Sequence, residues 1–263
     1  MLSLAVQTIG SNNIISFVAR HASVEVHYHQ CFQLVVSLHI PFNCIIDGKG
    51  HRQLNGFLIN QNITHSCDAG ATEVLIYFID AESWLGWHLK EILGGQAFVP
   101  IDTLLTEQDL KEIAAQYRQA TTLPGLQQTG EDLLGKIIPS RQESLNRNID
   151  ERIVKAIDYI DLNLDNPLAL EHIAKQVFLS AERLRHLFAQ ETGIPFSQYI
   201  LWKRIKGVLI QVIKGKYSMA SAAIQNGFTD QPHFTRLFKR TFGVSAGNML
   251  KNSRFVQFLT PEL

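Results

Sequence analysis

Four polar residues near the start of the chain have types and a spacing that suit ligand binding. His27 and His29 are two positions apart, Gln33 follows four positions after His29, and His65 comes later. Side chains two apart on a β-strand project to the same side, so the two imidazoles could bind one metal ion. Three interpretations stay open: a small-molecule pocket, hydrogen-bonded packing, and a metal site. We assign these residues to an effector pocket and expect neither a metal nor another cofactor.

The sequence lacks the motifs of several common enzyme classes. It shows no GxSxG nucleophile motif, no glycine loop that would cradle a phosphate, and no Cys–His nucleophile pair. Cys31, Cys44 and Cys67 have no CxxC spacing and cannot all pair with each other. This spacing argues against a disulfide framework and against a thiolate zinc site. We therefore expect a protein that is not an enzyme.

Charge divides the chain into two parts of opposite sign. The whole chain has 24 Lys and Arg against 24 Asp and Glu, but residues 1–145 have 8 against 14, and residues 146–263 have 16 against 10. From Lys175 onward there are 13 basic and 4 acidic residues. Such a local excess favours a polyanionic partner through counterion release. We predict two domains with their boundary at residues 145 and 146.

The elements of the first part change from strands to helices along the chain. Short apolar runs with partial alternation predict an antiparallel β domain up to about Asp80, and Asp47-Gly48 is a strong hairpin signal. Around Thr106 the apolar period becomes helical, and a second helical stretch follows the break at 123–125. We expect two helices to close this domain. The apolar segment 133–138 either packs on the β domain or pairs with a second subunit across a two-fold axis.

The second part is predicted to be all helical. The polar segment 142–148 has no periodicity and is typical of a short linker. Asn148 and Glu151 have the spacing of a capping box that starts a helix, and apolar residues recur every three to four positions from Ile149 to Leu164. We find no strand pattern after Asn148.

A repeated unit lies within the basic part. Residues 173–176 align with 222–225 at an offset of 49, and after a one-residue slip Gly193 aligns with Gly243 at an offset of 50. Each copy has the pattern of a helix, a tight turn and a second helix that ends in a glycine. The turn of the second copy contains Gly227, whereas the first copy has no glycine there.

These patterns predict two helix-turn-helix units, at about 170–193 and 218–243, joined by a helix over about 196–214. Ser180 and Thr229 are the predicted N-caps of the second helices. Each second helix keeps Leu or Phe inward and presents polar and basic residues outward. Such a face suits hydrogen bonds to base edges in the major groove and contacts to phosphates.

Residues 173–193, and more specifically 227–240 followed by Gly243, resemble the AraC/XylS family of bacterial transcription regulators. The resemblance covers about 149–250, and the amino-terminal part fits the family as its companion β-barrel domain of cupin type. The fold class that it implies is a cupin-like barrel with flanking helices followed by an all-α domain with two helix-turn-helix motifs. It implies base contacts by Glu182, Arg185, His186, Gln231, His233, Thr235 and Arg236, and we assign phosphate contacts to Ser180, Thr229, Lys239 and Arg240.

The function predicted from this resemblance is that of a sequence-specific DNA-binding transcription regulator in the bacterial cytoplasm. Activation and repression both stay open as its role, and we assign it as an activator. The expected partners are double-stranded promoter DNA, RNA polymerase, a small-molecule effector and a second copy of the chain bound through the barrel. The alternative is a cupin-type metal-dependent enzyme, in which Gln33 replaces the acid of the cupin metal pattern. No membrane partner is expected, because the apolar runs are far shorter than the ~20 residues that cross a bilayer and residues 1–10 lack a secretory signal.

Overall fold

The computed structural model describes residues 14–120, 122–138 and 149–259, and the predicted linker 142–148 lies outside them. An eight-stranded antiparallel sheet in the described residues forms a near-closed barrel, in which the sixth strand pairs with the first, second and third. The strands are β1 (Ile14–His27), β2 (Phe32–Ser37), β3 (Phe42–Ile46), β4 (Lys49–Leu54), β5 (Gly56–Ile59), β6 (His65–Ile79), β7 (Phe98–Pro100) and β8 (Ser253–Leu259).

Local sequence explains the tightest turn of the barrel. Asp47 and Gly48 connect β3 to β4 with φ angles of 50° and 74°. Two central residues with positive φ match the right-handed twist of the flanking strands, and Asp-Gly tolerates that conformation. The predicted hairpin is therefore confirmed. Burial alternates along β3, whereas every residue of β2 and β5 is buried, so these two strands are covered on both faces.

Helices flank the barrel and form the rest of the molecule. None of the described helices is long and apolar enough to cross a membrane. The bounds are α1 (Trp84–Leu93), α2 (Glu107–Gln119), α3 (Leu123–Ile137), α4 (Glu151–Leu162), α5 (Leu170–Gln176), α6 (Ala181–Thr192), α7 (Phe196–Ile213), α8 (Met219–Gln225), α9 (Gln231–Phe242) and α10 (Ala246–Asn252).

The two helices predicted after the barrel are α2 and α3. Helix α2 begins with a capping box in which Thr106 and Asp109 exchange hydrogen bonds with each other's backbone. Helix α3 buries Leu133, Leu134 and Ile137 within the chain. Of the two interpretations of 133–138, the structure therefore shows packing inside the molecule, and these side chains do not face a second subunit.

The repeated unit is present as two helix-turn-helix motifs, α5 with α6 and α8 with α9, joined by α7. Both second helices end at a glycine in the left-handed conformation, Gly193 with φ 74° and Gly243 with φ 67°. In the turns, Phe178 with φ 56° occupies the position that Gly227 with φ 76° has in the second copy. The first turn therefore keeps the same backbone without glycine, and the Phe178 side chain is 94% exposed.

Three local predictions were wrong. The N-cap of α4 is Asp150, which accepts from the N–H of Arg152, and Asn148 lies outside the described residues. The N-cap of α9 is Asp230 and not Thr229, because the Asp230 carboxylate accepts from the N–H of His233 and its charge suits a helix N-terminus. The expectation of no strand after Asn148 fails at β8, which forms through pairing with β1.

The buried core does not stop at the predicted domain boundary. One apolar cluster joins barrel residues to α1 through α6 and the start of α7, and the other joins the barrel interior to α7 through α10. At the centre of the second cluster the ring of Phe78 in β6 lies 6.4 Å from that of Trp202 in α7 and 5.0 Å from that of Phe242 in α9. The barrel and the helices therefore share a packed interface, while the numerical boundary at 145 and 146 stays a prediction.

Candidate nucleic-acid interface and sensor cavity

Helix α6 presents three of the predicted base-contacting side chains to solvent. Ser180 caps the helix by accepting from the N–H of Arg183 at 3.2 Å. Glu182 forms an ion pair with Arg185 and accepts from Nε2 of His186 at 2.7 Å, and all three side chains are exposed. The carboxylate therefore holds the two basic side chains together on the outer face of the helix.

Helix α9 presents a basic outer face opposite an aromatic inner face. Phe234 and Phe238 are fully buried, three and seven positions after the start of the helix. Thr235 is half-buried. Four predicted contact residues on this helix are exposed, namely Gln231, Arg236, Lys239 and Arg240.

His233 lies at the margin of this face. It is half-buried, and its ring packs 5.6 Å from that of Phe228. Its Nδ1 is buried and has no hydrogen-bond partner among the described residues. The structure therefore does not group His233 with the exposed contact residues.

The carboxy-terminal end of α9 contacts the barrel. Lys239 pairs with Glu25 of β1 at 3.0 Å, and the Glu25 N–H donates to the carbonyl of Gly243 at 3.1 Å. A Cβ at Gly243 would lie 2.4 Å from the Glu25 carbonyl oxygen. Glycine is therefore required here for two reasons, the close approach of this oxygen and the left-handed φ. One predicted phosphate contact is therefore already paired with a barrel carboxylate.

Arg204 of α7 ties the second turn to the segment that precedes the first motif. Its guanidinium donates to the carbonyls of Leu164 at 3.2 Å, Asn166 at 2.9 Å and Gly227 at 3.0 Å. Three carbonyl acceptors match the fixed fork of an arginine. This side chain therefore holds the turn of the second motif against the segment between α4 and α5.

Buried charges lie between α7 and the end of β6, and the sequence analysis missed them. Lys206 forms an ion pair with Asp80, whose other oxygen accepts from the Trp202 indole at 2.7 Å. Burial and the neighbouring Asp80 raise the pKa of Glu82 to about 7. Lys206 follows the inward Trp202 by four positions, so helical periodicity was the available signal.

The predicted effector residues converge inside the barrel. His27, His29 and His65 are 4%, 1% and 1% exposed, and one ring nitrogen of each lies within 4.8 Å of the others. Gln33 Oε1 lies 3.2 Å from Nε2 of His29 and 2.9 Å from Nε2 of His65. Burial lowers the pKa of all three histidines, to about 4 for His29, so the rings are neutral at physiological pH.

A cavity of about 150 Å³ borders this histidine cluster, which we define as His27, His29 and His65. The barrel contributes apolar side chains together with Arg20, Ser23, His27, Gln33, His65 and Cys67. The helical part lines the same cavity with Phe242 at the end of α9, and with Val244, Asn248 and Met249 after it. A molecule in this cavity would therefore contact both the barrel and the end of α9.

Comparisons with known sequences match the helical part. Residues 173–252 match the family described as a helix-turn-helix domain. The arabinose operon regulatory protein of Escherichia coli is 33% identical over 116 residues, which are 44% of this chain and 40% of that protein. The multiple antibiotic resistance protein MarA of Escherichia coli is 31% identical over 116 residues, which are 42% of this chain and 91% of MarA. The matched part thus spans less than half of the arabinose regulator.

Solved structures match nearly the whole chain in fold. A variant of apo ToxT from Vibrio cholerae aligns with a TM-score of 0.62 at 13% identity, over 92% of this chain and 99% of that one. ToxT bound to (E)-4-(8-methylnaphthalen-1-yl)but-3-enoic acid aligns with a TM-score of 0.54 at 15% identity, over 91% and 98% of the two chains. These likenesses show the two-part fold of barrel and helices. Since the sequence match covers nine-tenths of MarA, the chain belongs to the AraC/XylS family of DNA-binding transcription regulators.

Proposed function

We propose that this chain activates transcription from specific promoters and that a small molecule in the barrel cavity controls it. The single observation that carries the proposal is the shared cavity, which is lined by barrel residues and by Phe242 of the second recognition helix. A ligand that fits this space changes the packing on which the end of α9 rests. Differential contact of this kind is what a ligand needs in order to shift a conformational equilibrium.

DNA reading is assigned to the outer faces of α6 and α9. Arg185, Gln231 and Arg236 are exposed and carry the fork or amide donors that pair with base edges. Lys239 and Arg240 lie one turn further along α9 and suit phosphate oxygens. If α7 holds the two helices about one turn of duplex apart, ~34 Å, one chain reads two successive major grooves.

The effector is proposed to be a small molecule with an apolar body and a polar end. An apolar cavity of ~150 Å³ holds a ligand of about the size of benzene. The lining is mostly apolar, and its polar groups are Arg20, Ser23, His27, Gln33, His65 and Asn248. The similar fold of ToxT supports this class of ligand. One ToxT structure contains (E)-4-(8-methylnaphthalen-1-yl)but-3-enoic acid and another contains an unsaturated fatty acid.

The remaining assignments follow from the family and the fold. We propose residues 146–263 as the DNA-binding domain, RNA polymerase as the partner of the activator, and a bacterial cytoplasmic location with the chromosome. A homodimer through residues 1–145 is also proposed. Because α3 buries its apolar residues within the chain, the dimer contact must use other surfaces.

The proposed function is tested by selecting bound sequences from a pool of random duplex DNA with the purified full-length chain. We expect a shared motif with two half-sites about 10 base pairs apart, one for each recognition helix. A matched selection with Arg185→Ala and Arg236→Ala together should lose both half-sites. Recovery of random sequence by the unaltered chain would contradict the proposal of sequence-specific regulation.

A further inference from the structure

We propose that His27, His29 and His65 bind a divalent transition-metal ion of the class that imidazole ligands favour, with Zn²⁺ as the probe. The sequence alone led us to expect a pocket without metal. The arrangement of protons and hydrogen bonds around the three rings favours a metal instead. The proposal concerns the floor of the barrel cavity and is independent of whether the chain reads DNA.

Two paired strands bring the ligands together. His27 at the end of β1 and His65 at the start of β6 are direct partners in the antiparallel register. His29 follows β1 by two residues, and its ring centroid lies 5.0 Å from that of His65. The nitrogens that could bind an ion lie within 4.8 Å of one another in the buried interior of the barrel.

Backbone carbonyls fix where the protons are. Nδ1 of His27 lies 2.8 Å from the carbonyl of Glu25, Nδ1 of His29 lies 2.8 Å from that of Cys31, and Nδ1 of His65 lies 2.9 Å from that of Ile63. A carbonyl only accepts, and a neutral imidazole has one N–H, so the proton of each ring is on Nδ1. The other nitrogen, Nε2, then carries a lone pair. Histidines that bind metals have this same hydrogen bond from their second nitrogen.

Gln33 satisfies only part of this set. Since Nε2 of His29 and of His65 are acceptors, the end of the Gln33 amide that faces them must be its NH₂, which is indistinguishable from oxygen by shape. The NH₂ group of Gln33 thus contacts two lone pairs, those on Nε2 of His29 and of His65, in a buried site. A dication would meet the lone pairs of all three rings at once.

The charge of the ligand set indicates what would complete the site. Three neutral ligands leave the charge of a dication uncompensated, so its remaining position would favour water or an anionic group from the adjoining cavity, which His27 and His65 line. Three histidines with an open fourth position are an established zinc ligand set.

The test titrates the chelator-treated full-length chain with Zn²⁺ by calorimetry and with Co²⁺ by visible absorption. We expect one equivalent of either ion and the intense visible bands of tetrahedral cobalt. His29→Gln and His65→Gln should each weaken binding by more than the ~100-fold that follows loss of an outer-shell partner. His39→Gln is the matched control, because His39 is in the same barrel with its side chain 42% exposed.

Each outcome decides the proposal. Equal loss of binding in His39→Gln, or a Co²⁺ spectrum of octahedral type, would overturn it and leave the histidines as hydrogen-bonded packing. A thiolate-to-cobalt band that disappears in Cys67→Ser would also overturn it, since Cys67 lines the same cavity. If the histidine variants do not fold, the stoichiometry and spectrum of the unaltered chain still decide. Failure of the DNA selection would not change these readouts.

Discussion

At the residue scale, Arg236 and Lys239 are on one helix face but should act differently. Arg236 can offer a bidentate fork to a base, whereas Lys239 is a point charge suited to phosphate. We expect Arg236→Ala to lose ~1–3 kcal/mol at one base position and to relax preference there. Lys239→Ala should weaken all sequences alike and reduce the salt slope by about one. Fluorescence anisotropy on specific and random duplexes at several salt concentrations measures both.

Glu25→Gln is the control for Lys239. It removes the carboxylate that pairs with Lys239 at 3.0 Å and leaves the helix itself unchanged. Affinity for every duplex should therefore rise. If Arg236→Ala and Lys239→Ala lost affinity equally on specific and random DNA, the assigned roles would be wrong.

The pKa of Glu82 predicts a pH dependence of stability. Burial, and next Asp80, raise its pKa from 4.5 to about 7. Between pH 4.5 and 7 Glu82 is ionised in the unfolded chain but protonated in the folded chain. The contribution of Glu82 to the free energy of unfolding is therefore fully present below pH 4.5 and is lost as the pH rises through 7. Glu82→Gln should therefore be more stable than the unaltered chain at pH 8, by up to roughly 3 kcal/mol, and similar to it at pH 4.5.

Urea unfolding across this pH range measures the difference between the two proteins. Glu91→Gln is the control, since Glu91 is exposed on the neighbouring α1. A Glu82→Gln advantage that is the same at both ends of the range would contradict the assigned protonation of Glu82.

The outward residues of α6 and α9 could be predicted from sequence, but the acidic partner that allows the lysines of α7 to be buried could not. Phe234 and Phe238 repeat at four positions and define the inner face of α9, so the opposite face follows. Lys203 and Lys206 have inward spacing too, yet lysine is almost never fully buried without a partner. Their partner Asp80 is 126 positions from Lys206, and no local pattern shows that pairing.

At the element scale, Gly207 lets α8 pack closely on α7. A Cβ there would lie 2.0 Å from Oδ1 of Asn226, whose side chain is buried and bonded to the Ala222 carbonyl. Gly207→Ala must therefore displace a packed side chain. We expect the free energy of unfolding to fall by ~1–3 kcal/mol.

Gly135→Ala is the matched control, in another helix with open space around the added Cβ. It should raise the free energy of unfolding by about 0.5–1 kcal/mol, because alanine favours a helix over glycine. Chemical denaturation of both variants gives the comparison. A gain in stability in Gly207→Ala would show that α7 and α8 are not in this close contact.

Which elements could be predicted depended on whether local signals agree with tertiary packing. Asp47-Gly48 predicts its hairpin because the turn conformation is local. Helix α1 was not predicted, and it contains Gly86, where a Cβ would lie 2.2 Å from the Asp80 carbonyl oxygen. That contact favours glycine in a helix against its propensity. Strand β8 forms only through distant pairing with β1.

At the scale of the whole molecule, the barrel and the helices share two buried apolar clusters. The apolar clusters cross from strands to helices, and Phe78 contacts both Trp202 and Phe242. Shared burial of this extent couples the unfolding of the two parts. The apolar packing around the cavity is therefore continuous with α9.

This coupling predicts a single thermal transition for the full chain and its division in Asp80→Asn. The substitution leaves the buried ammonium of Lys206 without the Asp80 carboxylate, and removing one partner of a buried ion pair costs ~3–5 kcal/mol. Because that pair lies between β6 and α7, the loss should weaken the interface more than either part. Circular dichroism of helices and tryptophan fluorescence should then give separate midpoints, whereas they coincide in the unaltered chain. Asp161→Asn is the control, because Asp161 pairs with Lys203 and is more exposed than Asp80. This variant should keep one transition. Two transitions in the unaltered chain would contradict the coupling.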